Sequence, residues 1–574
     1  MTISQDIIQQ LVSLLGASNE FPMVLTDCNC NDVQNEAYQE ARKSFNRKFD
    51  FRPKAIIYVE NSEQVSAIVK FANLHKESVV LRVRSGGHDH EAESNGTDTL
   101  LIDLSKMKRV QQVPKPDKCA GEEDKLFIGI EPGARFKHIK SVLDAHNLGI
   151  PHGTCKTVGI AGFTLGGGWG PWTRQYGMAC ESLVGATVVL GNGDIIEVSI
   201  DDEKDSAGGQ LLWALRGGGG LSYGIVTEFR FKAFNLPAIT YSFSLSLDFL
   251  ENYFPKITTL HILTLWEELV KSEHTQVLIG TNLKINAVSL EAGVAPDPNA
   301  KLSCLINGYI AGEPEDFLEM VLDWIKMLET IIGAKPHSKS DLKQIKKAVG
   351  KTASVKKWLK SSTDKLNIDV NHKGWRFEGW DRTFHDLTLD ADGPAPHKIT
   401  SRLADCGWNK QSREALICSL QSPLLDPLVC KCDNRYGIHA YITIGAITGD
   451  FYRNYREGKD DIGSSFPYKD RLFTLQYQAW WDEFLDVDGL MTLHPSEAVV
   501  HGIENRQYIN RTEDWIERCR NYDIPHTSGA FISFKDASVT TADYFSCSYE
   551  GLKEVKERYS QDSNLLLRTR KTII

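Results

Sequence analysis

Apolar and polar positions follow two rhythms along this chain, and the first clear case lies at residues 54–83. AIIYVE is an apolar run of strand length, Asn61 or Ser62 can cap a helix carrying Val65, Ile68, Val69 and Ala72 at helical spacing, and VVLRV follows. The pattern predicts a β-α-β unit whose exit loop is Arg84-Ser85-Gly86-Gly87-His88. Further strands are expected at 99–104 and 126–131, and a hairpin at 188–198 turned by Asn192-Gly193. A helix around 208–216 and the strand IVTEFRFKAF come next. At the start of the chain, Ile3, Ile7, Leu11 and Leu14 fall on one face of an amphipathic helix.

Glycine is dense in 153–170 and again in RGGGGLSYG (216–224), and thins out after about 235. There aromatic-rich strands alternate with helices. Near 526 the character of the first domain returns with GAFISF and the charged helix EGLKEVKERY. This divides the chain into an N-terminal helical segment (1–50), a glycine-rich domain (51–235), a second domain (236–525) and a return to the first (526–574).

With 574 residues, 41% apolar and 24% charged, the chain can build cores of enzyme size and is neither disordered nor a coiled coil. A net charge of −10 without a basic cluster argues against a nucleic-acid partner. No apolar run reaches the roughly 18 residues of a membrane span, and polar residues interrupt Met1–Gly16, so no secretory signal is read and an intracellular location is expected. On that basis the sequons at Asn95 and Asn510 are expected to be unused. The 12 cysteines include two C-x-C pairs, Cys28 with Cys30 and Cys430 with Cys432, but no zinc spacing, and reduced thiols are expected.

Three glycine-rich loops in one domain suit a dinucleotide cradle, because glycine lets backbone N–H groups approach a pyrophosphate. No G-x-G-x-x-G follows the first strand, which disfavours a Rossmann site, and Gly350-Lys351-Thr352 lacks the upstream glycine of a P-loop. His88-Asp89-His90 has no third ligand at metal spacing, so no metal is expected.

The combination is more specific than its parts. RSGGHDHE (84–91), GTCKTVGIAG (153–162), GGGWGPWTRQYGMACESLVGATVVLGNG (166–193) and LLWALRGGGGLSYGIVTEF (211–229) resemble, in order and spacing, the berberine bridge enzyme-like flavoprotein oxidases of the vanillyl-alcohol oxidase or PCMH-type FAD family. The resemblance is strong over about 51–235 and weaker through 465–481 and 528–571. It implies an α+β fold, with a PCMH-type two-part FAD-binding domain and an α+β substrate-binding domain built on an antiparallel sheet. It also implies FAD attached twice, through His88 and Cys155, and a small organic substrate with O2 as electron acceptor. Further FAD contacts carried over by position are Ser85, Gly86, Gly87, Asp89, Gly159, Gly162, Gly167, Tyr176, Gly220, Ile225, Val226 and Asn564. Val158 matches the residue that controls oxygen access.

The implied activity is oxidation of a mid-sized organic molecule, such as a natural-product intermediate, with H2O2 released and cyclisation as an option. Three departures from the family bear on the base. His90 stands where a substrate-facing tyrosine is common, Phe531-Ile532-Ser533 where sugar oxidases carry Tyr-x-Asn, and Gly449 beside Asp450 where the alkaloid-oxidising plant enzyme has its glutamate. His90 is the leading base, with Asp450 and Tyr452 as fallbacks, Tyr477 as a wall behind the flavin, and Trp480 and Trp481 as core. Two other readings stay open, a redox-neutral FAD-containing cyclase or isomerase and a carbohydrate oxidase.

Overall fold

The computed structural model describes residues 3–16, 24–26, 32–122, 125–237, 240–251, 254–271, 278–311, 314–333, 369–371, 393–425, 438–454, 462–481, 510–559 and 567–573. Asn564, both C-x-C pairs and Gly350-Lys351-Thr352 lie outside the described residues.

The first sheet holds β1 (Val24–Thr26), β2 (Ala55–Tyr58), β3 (Leu81–Arg84) and β4 (Leu100–Asp103) in the order β1-β2-β4-β3. Strands β2 and β3 both run parallel to β4, and the helix Ser62–Leu74 makes the crossover. The helix starts where Asn61 caps it, its side chain accepting from the Gln64 N–H, and its face of Val65, Ile68, Val69 and Ala72 is buried. The expected β-α-β unit is therefore present, and its C-terminal loop carries His88.

The second sheet comprises β5 (Val110–Gln112), β6 (Phe127–Ile130), β8 (Leu183–Leu190), β9 (Ile195–Ser199) and β10 (Gly224–Lys232), ordered β5-β6-β10-β8-β9 and antiparallel throughout. The β8–β9 hairpin turns at Gly193, whose φ of +89° is a conformation L side chains avoid. A small pair, β7 (Leu148–Gly149) with β11 (Phe234–Asn235), closes this part. The helix Tyr549–Tyr559 packs on the helix Ala207–Leu215, so the C-terminal residues return to this unit.

The third sheet has eight strands: β12 (Thr240–Ser246), β13 (Leu278–Asn286), β14 (Cys304–Ala311), β15 (Asp369–Asn371), β16 (His397–Ala404), β17 (Ile438–Ala446), β18 (Phe473–Trp481) and β19 (Thr527–Ser528). They are antiparallel in the order β15-β12-β14-β13-β17-β18-β16-β19. One face packs against the helices Thr259–Lys271 and Lys410–Ser419, in a core that includes Trp266, Leu283, Ile442, Leu475, Tyr477 and Trp515. Side chains alternate along a strand, so the residues between these point the other way.

That opposite face meets the glycine-rich unit at a close interface. A Cβ on Gly280 of β13 would lie 2.1 Å from the Pro171 carbonyl oxygen, and one on Gly445 of β17 would lie 2.6 Å from the Trp169 ring. Trp169 Nε1 donates to Ala446 O at 2.7 Å, and the buried Arg174 donates to Val270 O and Thr448 O at 3.0 and 2.8 Å. Glycine on the strands thus lets a tryptophan-bearing loop seat against the sheet.

At the N-terminus the helix Gln5–Leu14 buries Ile8 and Leu11, with Ile3 just before it. Leu14, expected on the apolar face, is 57% exposed, because the buried stripe runs through Ile8 instead. Asn95 is buried with its amide donating to Arg42 O at 2.7 Å, which disfavours glycosylation there. Among the described residues no helix is long and apolar enough to cross a membrane.

Candidate functional site

A cavity of about 370 Å3 lies between the glycine-rich unit and the polar face of the third sheet. Its first wall is mostly backbone. Ser85 to His90 leave β3, Gly153 to Gly166 form a second loop and short helix, and Gly219 to Val226 lead into β10. The first two loops touch directly: a Cβ on Gly86 would fall 2.3 Å from Gly159 N, and one on Gly159 2.6 Å from Gly86 N. These two glycines serve loop-to-loop approach. Gly162 and Gly220 differ, since a Cβ at Gly162 meets nothing within 4 Å and one at Gly220 only a Leu165 methyl at 3.9 Å. Both line the cavity, so a side chain at either would project into it.

His88 and Cys155 converge on a single hydroxyl. Thr157 Oγ1 lies 3.0 Å from His88 Nε2 and 3.2 Å from Cys155 Sγ. Phe45 stacks on the His88 ring with centroids 3.8 Å apart. Burial, with smaller contributions from the neighbouring His90 and Arg135, pushes the His88 pKa down to about 3, so its imidazole is neutral and nucleophilic at physiological pH. Val158 lines the same cavity; its carbonyl accepts from Phe136 N at 3.1 Å and clamps the loop to the preceding helix.

The exit loop of β3 is held by charge. Burial pushes the Asp89 carboxyl up, but the Lys535 ammonium, 2.5 Å away, outweighs it and holds the group below its usual range. Lys535 also reaches Glu93 at 3.3 Å. Asp89 borders the cavity with its carboxylate already paired, so its visible task is to fix the loop.

The second wall consists of side chains on regular strands. Antiparallel register sets Lys284 (β13) beside Thr443 (β17) and Thr443 beside Gln476 (β18). The next row sets Tyr441 beside Gln478, and the last sets Trp480 between His439 and His397. Gln478 Oε1 accepts from Tyr441 Oη and from Trp480 Nε1, both at 3.0 Å. Lys284 Nζ sits 3.4 Å from the centre of the Tyr441 ring, a cation–π contact.

His90 bridges the walls. Its Nδ1 lies 3.0 Å from Nε2 of His397, whose own Nδ1 lies 2.8 Å from Ala395 O. Burial lowers the pKa of His90 to about 4 and that of His397 well below its usual value. Trp480 lies against the His397 ring at 4.0 Å.

Several expected residues stand elsewhere. Tyr176 stacks on Phe234 at 3.8 Å in a separate aromatic cluster and does not line the cavity. Gly167, at φ +107°, faces Phe466 and Phe531 behind the wall. Tyr452 donates to Glu181 and accepts from the Met178 N–H, both at 3.1 Å, on a short helix away from the cavity, and Asp450 begins that helix. Neither is a base for this site. Tyr477 points into the helix-covered core, paired with Ser419 at 2.8 Å, because its neighbours Gln476 and Gln478 take the cavity-facing positions. Trp480 is correspondingly a cavity residue, while Trp481 is core. Phe531, Ile532 and Ser533 do line the cavity.

The first wall fits a flavin dinucleotide: two glycines whose missing side chains leave the groove open, and a neutral imidazole and a thiol together at one end. Among the described residues no group of three or more potential ligands could hold a metal ion.

Residues 53–199 match the family model described as an FAD binding domain. An uncharacterized FAD-linked oxidoreductase of Bacillus subtilis is 35% identical over 200 residues, 34% of this chain and 41% of that protein. A glucooligosaccharide oxidase of Sarocladium strictum is 32% identical over 220 residues, 38% of this chain and 40% of that protein. The chain matches about two fifths of the length of these curated relatives. Among solved structures, the BBE-like 1 protein of Physcomitrella patens superposes with a TM-score of 0.65 at 18% identity over 99% of both chains. A glucooligosaccharide oxidase from Acremonium strictum, with 6-S-cysteinyl, 8α-N1-histidyl FAD, gives 0.64 at 18% identity over 98% of both. Sequence likeness therefore identifies residues 53–199 as an FAD-binding domain, and structural likeness shows that the chain as a whole has the fold of the BBE-like and glucooligosaccharide oxidase structures.

Proposed function

We propose that this protein is an FAD-dependent oxidase that takes a hydride from a mid-sized organic substrate held against the polar face of the third sheet. The observation that carries the reading is the meeting of His88 and Cys155 at Thr157 beside an open glycine groove, which supports attachment of the flavin at both residues. Bound there, the isoalloxazine would take two electrons with the substrate hydride and deliver them to O2, giving H2O2.

The protein's own groups then have definite tasks. His90, neutral at physiological pH, accepts the substrate O–H or N–H proton through its ring as the C–H bond breaks. Gln476, Gln478, Tyr441 and Thr443 supply donors and acceptors that orient a polar substrate, and Trp480 and Phe45 exclude water near the two histidines. Val158, of moderate size, leaves oxygen a path to the cofactor.

The hydrogen-bonding floor also favours a polar substrate over a purely hydrocarbon one, so carbohydrate oxidation is a second reading. Phe531 weighs against it, because the position offers no hydroxyl to take a proton. Oxygen-uptake screening of polar natural products beside oligosaccharides separates the readings. Turnover of any substrate without O2 consumption would instead favour a redox-neutral cyclase.

A further inference from the structure

His397 is remote from His90 in sequence, yet it is buried directly behind the cavity-lining His90 with the two rings in contact, and the contacts around them fix where each proton sits. A backbone carbonyl can only accept, so the 2.8 Å contact to Ala395 O puts a proton on Nδ1 of His397. Burial keeps the His397 ring neutral, which leaves its Nε2 as a bare lone pair. That lone pair faces His90 Nδ1 at 3.0 Å, so His90 must carry its own proton on Nδ1 and donate it. His90 Nε2 is then the nitrogen left to accept.

The His397 ring is held in this orientation from several sides. Trp480 packs against one side, with centroids 4.0 Å apart, and Phe45 meets it edge-on at 5.9 Å. Asn46, fully buried, accepts from the His397 N–H at 3.1 Å and donates to the carbonyls of His397 and His90 at 3.0 and 2.6 Å. Ala395 O also takes the Arg47 N–H at 3.3 Å, within the two-acceptor capacity of a carbonyl. Turning the ring would break its Nδ1 and Nε2 contacts and its packing on Trp480, while Asn46 fixes the backbone that carries it.

We infer that His397 is a positioning residue: it reads its tautomer from the Ala395 carbonyl and imposes the Nδ1–H tautomer on His90, so that His90 Nε2 faces the substrate as a proton acceptor. The inference rests on the proposal that His90 takes the substrate proton. In the step itself, the substrate O–H or N–H bond breaks and a new H–Nε2 bond forms on His90. The positive charge that develops is shared through the Nδ1–H contact with His397. The charged groups facing His90 are Asp89 and Glu91, which favour this cation, and Lys535, which opposes it; His88 and Lys48 oppose a cation on His397.

The test is 15N NMR of the holoenzyme with labelled histidine, assigning His90 by the signal lost in His90→Gln. The expected result is His90 as Nδ1–H in wild type, a shift towards Nε2–H in His397→Leu, and return to Nδ1–H in His397→Gln, whose amide can accept from His90 and donate to Ala395. Wild-type His90 as Nε2–H, or a tautomer unchanged in His397→Leu, would overturn the inference. Should the leucine variant fail to fold, the wild-type tautomer alone decides. Flavin remaining on the denatured chain is read on the same samples: its absence in wild type would count against the oxidase proposal and leave the tautomer result standing.

Discussion

The two walls of the cavity are made by different means. The cofactor wall is backbone, brought close by glycines: Gly86 and Gly159 pack within a Cβ radius of each other, and Gly162 and Gly220 leave the groove open. The sheet wall is side chain, displayed by the two-residue alternation of β13, β17 and β18. Backbone construction tolerates few residues, so it leaves a readable pattern; side-chain display on a regular strand tolerates many, and leaves none. Family-level sequence likeness accordingly covers 53–199, whereas the fold likeness covers 99% of the chain.

The sharpest way to break this contrast is at the residue joining the walls. His90→Phe should keep bound flavin and slow its anaerobic reduction by substrate by about 100- to 10,000-fold, the range of a lost general base; an unchanged rate would remove His90 from the chemistry. On the cofactor wall, Gly86→Ala drives a Cβ into the Gly159 backbone and should cost about 3 kcal/mol or more in chemical denaturation, since backbone cannot swing aside. A Gly86→Ala protein of wild-type stability would mean the loops are not packed as described.

Acid should loosen the sheet side and the joint together. His90 (lowered to about 4), His439 (lowered to about 3) and His397 (lowered well below its usual value) all have folded pKa values below the ordinary 6.5, chiefly from burial. The unfolded chain therefore binds protons first, and stability, complete above pH 6.5, falls as pH drops towards 4, by about 1.4 kcal/mol per pH unit for each histidine. Glu181, whose pKa burial raises, works in the opposite direction, being stabilised protonated, but it is one group against three. Denaturation midpoints that do not fall between pH 7 and 5 would contradict the neutral, buried histidines. The smallest effect tests the strand register: Tyr477→Phe should cost about 1 kcal/mol through its lost Ser419 contact and leave turnover unchanged, because Ser419 keeps its bond to Leu416 O. A changed turnover would return Tyr477 to the site.

Much of the fold is legible in the sequence. The β-α-β unit, the Asn192-Gly193 hairpin and the C-terminal return follow from apolar spacing, capping and glycine, all local signals. In the site, the histidine–cysteine pair is found through its glycine-rich context. His397, Lys535 and Phe45 are not, because each reaches the loop of His88 to His90 across tens or hundreds of residues and none sits in a pattern of its own. Tyr477 is core rather than a wall behind the flavin, and a signal for this exists: Thr474, Gln476 and Gln478 alternate with Leu475, Tyr477 and Ala479, and a polar row on a fully buried strand marks a cavity. Tyr452 and Asp450 are candidates only by alignment across a region where side chains, not backbone, make the site.

The central claim is that His88 and Cys155 both hold the flavin. The direct measurement is to denature the purified protein and look for fluorescent flavin migrating with the polypeptide, in wild type, His88→Ala, Cys155→Ala and the double variant. The account predicts attached flavin in wild type and in each single variant, and free flavin only in the double. Free flavin from wild-type protein would contradict it.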